Sequence, residues 1–224
     1  FGVFGLGLVP GVAGPEPSLA GQETQDLFVL VEMVRGAAGR DRADELRDLR
    51  AAERVVHQHA VPAIAGRPGL AFPEPGRPRR RIRGADKHHH FTLVCRDLAE
   101  VSRFARVENW QFRMLKSLAP GPYTFLLPAT KEVPRRVQHA KRQTIGIRVP
   151  DHPVPRLLLA ELGEPLMSST LLLPGEDLPL TDGDMIRDRL DNALDAIVDG
   201  GHCGIEPTTV IDLGGGRGVL MAAI

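Results

Sequence analysis

The chain of 224 residues lacks the features that mark a membrane, disulfide-rich or strongly charged protein. Its 28 basic and 28 acidic residues cancel, so net charge gives no argument for a polyanionic partner. Two cysteines, Cys95 and Cys203, are too few for a disulfide framework. No apolar run approaches the roughly 18 residues that span a bilayer. These absences predict a cytoplasmic protein, and Cys95, at the end of the apolar run 91–95, is expected to be a buried, unreactive thiol.

Lysine is also missing from the first part of the chain. The first lysine is Lys87, and Gly, Ala, Arg and Pro make up about half of residues 1–83. Such a composition is typical of a linker, a disordered arm or a separate small domain, and a GC-rich gene read in a shifted frame gives the same bias. We therefore divide the chain into an atypical segment (1–80), a main domain (81–213) and an atypical tail (214–224).

From about residue 84 onward, strand and helix patterns alternate, which predicts a layered α/β domain. Short apolar runs predict strands over 91–95, 124–127, 144–149, 166–173 and 208–213, the last being the final strand. Apolar residues at helical spacing predict helices that begin at residue 96 and that cover 108–118, 154–162 and 184–198.

The segment 141–153 is the most informative one for function. Two basic residues lead into a buried strand that ends on Arg148, and a proline-closed turn follows. A strand that carries a guanidinium to its own end presents positive charge to an anionic ligand or to a structural ion pair. Two further cations, Arg135 and Arg136, precede the two basic residues, so that Arg135, Arg136, Lys141 and Arg142 form a basic cluster before the strand.

Hydroxyl and imidazole groups give weaker signals. Ser168, Ser169 and Thr170 interrupt an apolar run, and buried hydroxyls need hydrogen-bond partners from the backbone or a ligand. No glycine elbow surrounds these serines, so a serine nucleophile is not expected. The consecutive histidines 88–90 point to alternate faces of a strand and cannot all bind one metal ion, so no metal site is predicted.

Four segments, in this order and spacing, resemble the YrdC-like family, closest to its YciO branch. They are 120–125, 141–153, 163–170 and 207–212, and the resemblance extends from about Arg80 to Leu213. It implies a twisted mixed sheet with helices on its faces and a concave basic cleft. It also implies a reaction of threonine, bicarbonate and ATP, with Mg²⁺, that forms L-threonylcarbamoyladenylate for tRNA modification.

By position in the family's motifs, the resemblance implies nucleotide or substrate contacts from seven side chains. These are Lys87, His90, Thr124, Arg142, Arg148, Ser169 and Thr170. No catalytic residue is assigned, since such chemistry depends on positioning and on positive charge around the phosphates.

The chain also departs from the family's pattern. Residues 1–80 contain neither the Pro-Thr-Asp turn nor the Tyr-x-Leu-Gly segment of the family. Leu172 stands where synthase members have the asparagine of a serine-x-asparagine pair, and a leucine cannot supply an amide. Gly84 and Asp86 stand where those members have lysine-x-arginine. The expected function is therefore that of a nucleotide-binding protein related to the synthases, with the activity either retained or lost.

Two alternatives remain open from the sequence. The first is a non-catalytic module that binds double-stranded RNA or tRNA through Arg135, Arg136 and Lys141. The second is a broken gene product whose sheet lacks a neighbouring strand and therefore exposes an edge. The sequence gives no prediction of oligomeric state.

Overall fold

The computed structural model describes residues 92–190 continuously, together with 4–7, 28–33, 50, 53–54, 56–57, 196–200, 208–214 and 219–221. Of the side chains predicted to contact a ligand, Lys87 and His90 lie outside the described residues. The strands are β1 (Phe4–Gly7), β2 (Phe28–Met33), β3 (Thr92–Val94), β4 (Tyr123–Pro128), β5 (Thr144–Arg148), β6 (Leu166–Ser168), β7 (Ala196–Gly200), β8 (Thr209–Asp212) and β9 (Val219–Met221). The helices are α1 (Leu98–Phe104), α2 (Asn109–Leu118), α3 (Pro153–Leu162) and α4 (Gly183–Leu190).

The larger sheet is mixed and has six strands in the order β6-β3-β5-β4-β8-β9. β3 runs parallel to β5, and β4 is antiparallel to β5 but parallel to β8. This arrangement confirms the predicted mixed α/β class. A second sheet, β1-β2-β7, includes two strands from the segment 1–80, and β9 lies in the segment 214–224.

The main core lies between one face of the larger sheet and the helices α1 and α2. Leu93, Phe125 and Ile147 come from adjacent strands and are at most 1% exposed. Trp110 and Met114 of α2 pack against this cluster, as their four-residue spacing predicts. Each fully buried side chain of this kind contributes roughly 1.5–3 kcal/mol of transfer free energy.

Cys95 belongs to the same core and is fully buried, which confirms its prediction. Burial raises the pKa of its thiol well above the usual range, and the nearby carboxylates of Glu100 and Asp97 add to the increase. The thiolate, which is the reactive form, is therefore disfavoured.

Two predicted elements differ from the structure. The strand predicted over 166–173 ends at Ser168, because its partner β3 has only three residues and the chain then bends so that Leu180 N donates to Leu171 O. The helix predicted over 184–198 ends at Leu190, and Ala196–Gly200 forms β7 instead, in parallel pairing with β2. β9 follows β8, so the strand predicted as the last one is not the last.

Within the part of the chain that the structure describes, no helix has the length and apolar character needed to cross a membrane.

Candidate functional site: a polar face on the central sheet

The larger sheet has one apolar face and one face on which polar side chains alternate with apolar ones such as Val94 and Leu126. Paired residues on adjacent strands place their side chains on the same face, so the strand register shows which face each side chain occupies. One face carries the core residues that pack on α1 and α2. The other, which we call the polar face, carries six polar side chains: Thr92, Thr124, Thr144, Arg148, Ser168 and Asp212.

Arg148 is the most deeply buried cation on this face. It is the last residue of β5, which lies between β3 and β4, and the residue is only 2% exposed. Burial lowers the pKa of its guanidinium to about 9, because a charged group is less well solvated inside the protein. The group still carries its charge at neutral pH, so the strand delivers a cation to the interior, as the sequence predicted.

Thr124 lies beside Arg148. The β4–β5 register pairs Phe125 with Ile147, and one further step places Thr124 opposite Arg148. The Thr124 and Thr208 hydroxyls are 3.1 Å apart in a hydrogen bond. The turn that leads into β4 is held by a hydrogen bond from Gly121 N to Val149 O. A cation and a pair of hydroxyls therefore meet at this end of the sheet.

Gly146 lies two residues before Arg148 in β5, on the same face of the sheet, and has no side chain. The residues at its level on other strands are Thr92 and Ser168 on one side, and Leu126 followed by Asp212 on the other. Ser168 donates a hydrogen bond of 3.1 Å to Thr92 O. A glycine inside a strand often marks a place where a ligand or another backbone approaches the sheet closely.

Asp212 supplies the negative charge on this face. Its Oδ2 accepts a hydrogen bond of 2.5 Å from Arg142 Nη1, and its Oδ1 accepts one of 2.9 Å from Gly214 N. The Arg142 side chain is 54% exposed, whereas that of Asp212 is 12% exposed. Arg142 is thus fixed at the edge of the polar face by a partly buried carboxylate.

The structure brings only some of the predicted ligand residues together. Thr124 and Arg148 are neighbours at one end of β5, and Arg142 lies at the other end, before Thr144. Ser169 and Thr170 follow the end of β6, where Ser169 is half-buried and Thr170 is exposed.

Sequence reasoning missed Thr92, Thr144 and Asp212 on the polar face, as well as Gly146 and the Thr208 hydroxyl that bonds to Thr124. The glycine inside the 144–149 strand was a visible signal. Asp212 was not, because its ion pair joins residues that are 70 positions apart. Such a contact depends on strand order, which the sequence pattern alone does not define.

The predicted RNA-contacting residues lie in the connection between β4 and β5. Arg135 begins a short 3₁₀ turn (Arg135–Val137), and both Arg135 and Lys141 are exposed. Only the backbone of Arg136 is described.

Fold and polar face together define a layered α/β protein whose central strand presents a buried cation among hydroxyl groups. The family model Sua5_yciO_yrdC, described as "Telomere recombination", matches residues 79–221, which is more than half of the chain. The chain therefore belongs to the Sua5/YciO/YrdC family.

Two curated relatives indicate where in the family its similarity lies. YciO of Escherichia coli (strain K12), described as an uncharacterized protein, is 51% identical over 133 residues, which cover 59% of this chain and 65% of that protein. The threonylcarbamoyl-AMP synthase of Coxiella burnetii is 38% identical over 81 residues, which cover 36% of this chain and 42% of the synthase. The chain thus spans less than two thirds of the length of the relatives it matches.

Solved structures agree with the fold. The crystal structure of E. coli YciO has a TM-score of 0.62 at 35% identity and covers 87% of this chain and 93% of its own. The crystal structure of P. abyssi Sua5 complexed with L-threonine has a TM-score of 0.61 and covers 85% of this chain and 56% of its own. At 20% identity, this second likeness establishes the fold alone.

Proposed function

We propose that this chain binds ATP and L-threonine on the polar face and is a nucleotide-binding relative of the threonylcarbamoyl-AMP synthases. The observation that carries the proposal is Arg148, a buried guanidinium at the end of the central strand with Thr124 beside it. A guanidinium offers a planar pair of donors that matches phosphate or carboxylate oxygens. An anionic ligand would offset the desolvation that lowers the pKa of Arg148.

The relatives support the choice of ligand. The family includes threonylcarbamoyl-AMP synthases, and a Sua5 structure contains L-threonine. In the proposed reaction, the threonine amine and bicarbonate give a carbamate with loss of water, a carbamate oxygen attacks the α-phosphate of ATP, and pyrophosphate leaves. The protein contributes positioning and positive charge, because phosphoryl chemistry of this kind needs little covalent help.

Magnesium would enter with ATP. Within the described residues, no group of three or more His, Cys, Asp or Glu side chains could hold a metal ion. Mg²⁺ in nucleotide sites is commonly held by phosphate oxygens and water together with one or two carboxylates. Asp212 is the carboxylate of the polar face, and Arg142 already engages one of its oxygens.

Product analysis tests the proposal. The protein is incubated with ATP, Mg²⁺, L-threonine and labelled bicarbonate, and release of pyrophosphate and formation of the labelled adenylate are followed together. We expect both to depend on threonine and to fall at least about tenfold in Arg148→Lys, which keeps the charge but loses the two-point fork. Arg113→Lys, which alters an exposed arginine of α2, is the matched control.

The outcomes of this product analysis, together with ATP binding, distinguish a chain that keeps the synthase reaction from one that has lost it. ATP binding without product would show a nucleotide-binding relative that has lost the reaction. No ATP binding by a folded sample would contradict the proposal.

RNA binding is the second candidate, and the exposure of Arg135 and Lys141 favours it. Contacts between cations and phosphates make affinity fall steeply with salt. We expect an RNA duplex to bind at low salt and to bind more weakly in Arg135→Ala and Lys141→Ala. Absence of binding at low salt, or binding that does not respond to salt, would rule this function out.

A further inference from the structure

A second concave region lies near the Thr144 end of β5, away from Arg148. It is a cavity of about 550 Å³ bordered by the connection between β4 and β5 and by Arg106, which follows α1. Its lining includes three cations, Arg106, Lys131 and Arg135, and no carboxylate. All three cationic residues are exposed at its rim.

These three cations are not engaged by the described part of the protein. The ion pairs found there involve other arginines, namely Arg96, Arg142, Arg187 and Arg189, and a histidine. No side-chain hydrogen bond joins Arg106, Lys131 or Arg135 to another described residue. Like charges gathered around one concavity repel each other, and an anion bound between them would relieve this repulsion.

The walls of this cavity are held firmly. Thr130 Oγ1 donates to Arg103 O at 2.8 Å, and Gln138 Nε2 donates to Val133 O at 2.6 Å. Val133 is 2% exposed and anchors the connection in the apolar core. Gln143, also in the lining, has a φ of 54°, a left-handed conformation that is uncommon for residues other than glycine. The cations are therefore mounted on a preformed scaffold.

The cavity is distinct from the polar face. Ala129 and Val133, both in its lining, belong to the core cluster on the opposite side of the sheet. Thr144 and Arg148 are the first and last residues of β5, and four strand residues span about 13 Å. A ligand in this cavity would therefore not contact the Arg148 guanidinium.

We infer that this cavity is a second anion site, one that binds a small ligand with adjacent phosphate groups. Its volume lies within the range of small-molecule sites. Three cationic residues in the lining of one cavity suit a ligand with several phosphate oxygens. The lining has no aromatic ring on which a base could stack, so recognition is directed at the phosphates.

Calorimetric titration with inorganic tripolyphosphate tests the inference. The variant is Lys131→Ala/Arg135→Ala, and its control is Arg113→Ala/Lys116→Ala, which also removes one exposed arginine and one exposed lysine, but from α2. We expect the wild type and control to bind alike and the cavity variant to bind at least about tenfold more weakly. Raising the salt concentration should weaken binding to the wild type. Melting temperatures of all three confirm that they fold.

Two further titrations separate this inference from the proposed function: L-threonine into the cavity variant, and tripolyphosphate into Arg148→Lys. L-threonine reports on the polar face and should bind the cavity variant normally. Equal tripolyphosphate affinity in the two double variants would overturn the inference, as would binding of an RNA duplex without binding of tripolyphosphate. Loss of tripolyphosphate binding in Arg148→Lys alone would assign the phosphates to the polar face, which supports the proposed function and overturns this inference.

Discussion

Arg148 combines two properties that oppose each other in a protein interior, a permanent charge and almost complete burial. Desolvation disfavours the charged form, and this is the cause of its lowered pKa. Such a residue rarely adds stability in proportion to the contacts it makes. This is why we propose that Arg148 has a role in ligand binding.

The two residues of the Arg142–Asp212 ion pair should contribute unequally to the free energy of unfolding. Asp212→Ala removes the acceptor for Arg142 and also the acceptor for Gly214 N, so we expect a loss of about 1–3 kcal/mol in the free energy of unfolding. Arg142→Ala should cost less than about 1 kcal/mol, because the guanidinium is more than half exposed and is screened by solvent. Urea denaturation measures both.

Asp212→Asn completes this series. It keeps an oxygen for Gly214 N and loses the charge, so its stability should fall between those of the other two variants. Equal losses in Asp212→Ala and Arg142→Ala would show that the carboxylate has no role beyond the ion pair.

At the scale of elements, the start of α2 has a local chemical cause. α2 begins after Glu108, whose side chain and that of Gln111 form a reciprocal capping box. Gln111 Nε2 also donates to Leu213 O at 2.9 Å, which ties the helix to the end of β8. This second bond joins positions 102 apart, and no local pattern predicts it.

The Asp97 cap of α1 leads to a prediction about pH. The Glu100 backbone N–H, which donates to Asp97 Oδ1 at 2.9 Å, lowers the pKa of the Asp97 carboxyl in the folded state. Its stabilisation is therefore present above the unfolded-state pKa, near 4, and is lost as the pH falls through the lower folded-state value. Asp97→Ala should cost about 1 kcal/mol at neutral pH.

Asp97→Asn is the control for charge, because it keeps a capping oxygen that does not titrate. Unfolding curves between pH 7 and pH 3 should show the difference between the wild type and Asp97→Asn shrinking on acidification. A difference that is constant across this range would contradict the capping account.

The turn before β4 gives a third prediction. A Cβ atom on Gly121 would lie 2.5 Å from Leu118 O, a backbone atom that cannot move aside cheaply. Gly121→Ala should therefore destabilise the fold by about 1–3 kcal/mol and should disturb the strand that carries Thr124. Thermal unfolding measures the first effect. Gly163→Ala is the comparison: it has open space around it but a φ of 67°, so its cost should be near 1 kcal/mol.

The wrong prediction over 184–198 shows what local patterns cannot decide. Apolar residues at helical spacing continue through Ile197, yet β2 offers a row of backbone partners to Ala196–Gly200. The partner strand lies in the segment that composition set apart as atypical. A segment with β-branched residues can form a strand beside β2 despite its helical periodicity, because pairing with a neighbouring strand overrides intrinsic propensity.

At the scale of the whole molecule, the mixed α/β class and the family could be predicted from alternating elements and a few motifs. The site was predictable in part. Arg148 and Thr124 could be named from their motifs, but the sorting of six polar side chains onto one face required the strand register. The cavity with Arg106 and Lys131 was missed, because Arg106 joins the β4–β5 connection only in the folded chain.

The most direct test of the central claim, that Arg148 on the polar face binds the nucleotide, is calorimetric titration with ATP and Mg²⁺. We predict saturable binding to the wild type and to Arg113→Lys, with affinity at least about tenfold lower in Arg148→Lys. Identical ATP affinity in Arg148→Lys and in the wild type, with both samples folded, would contradict the account.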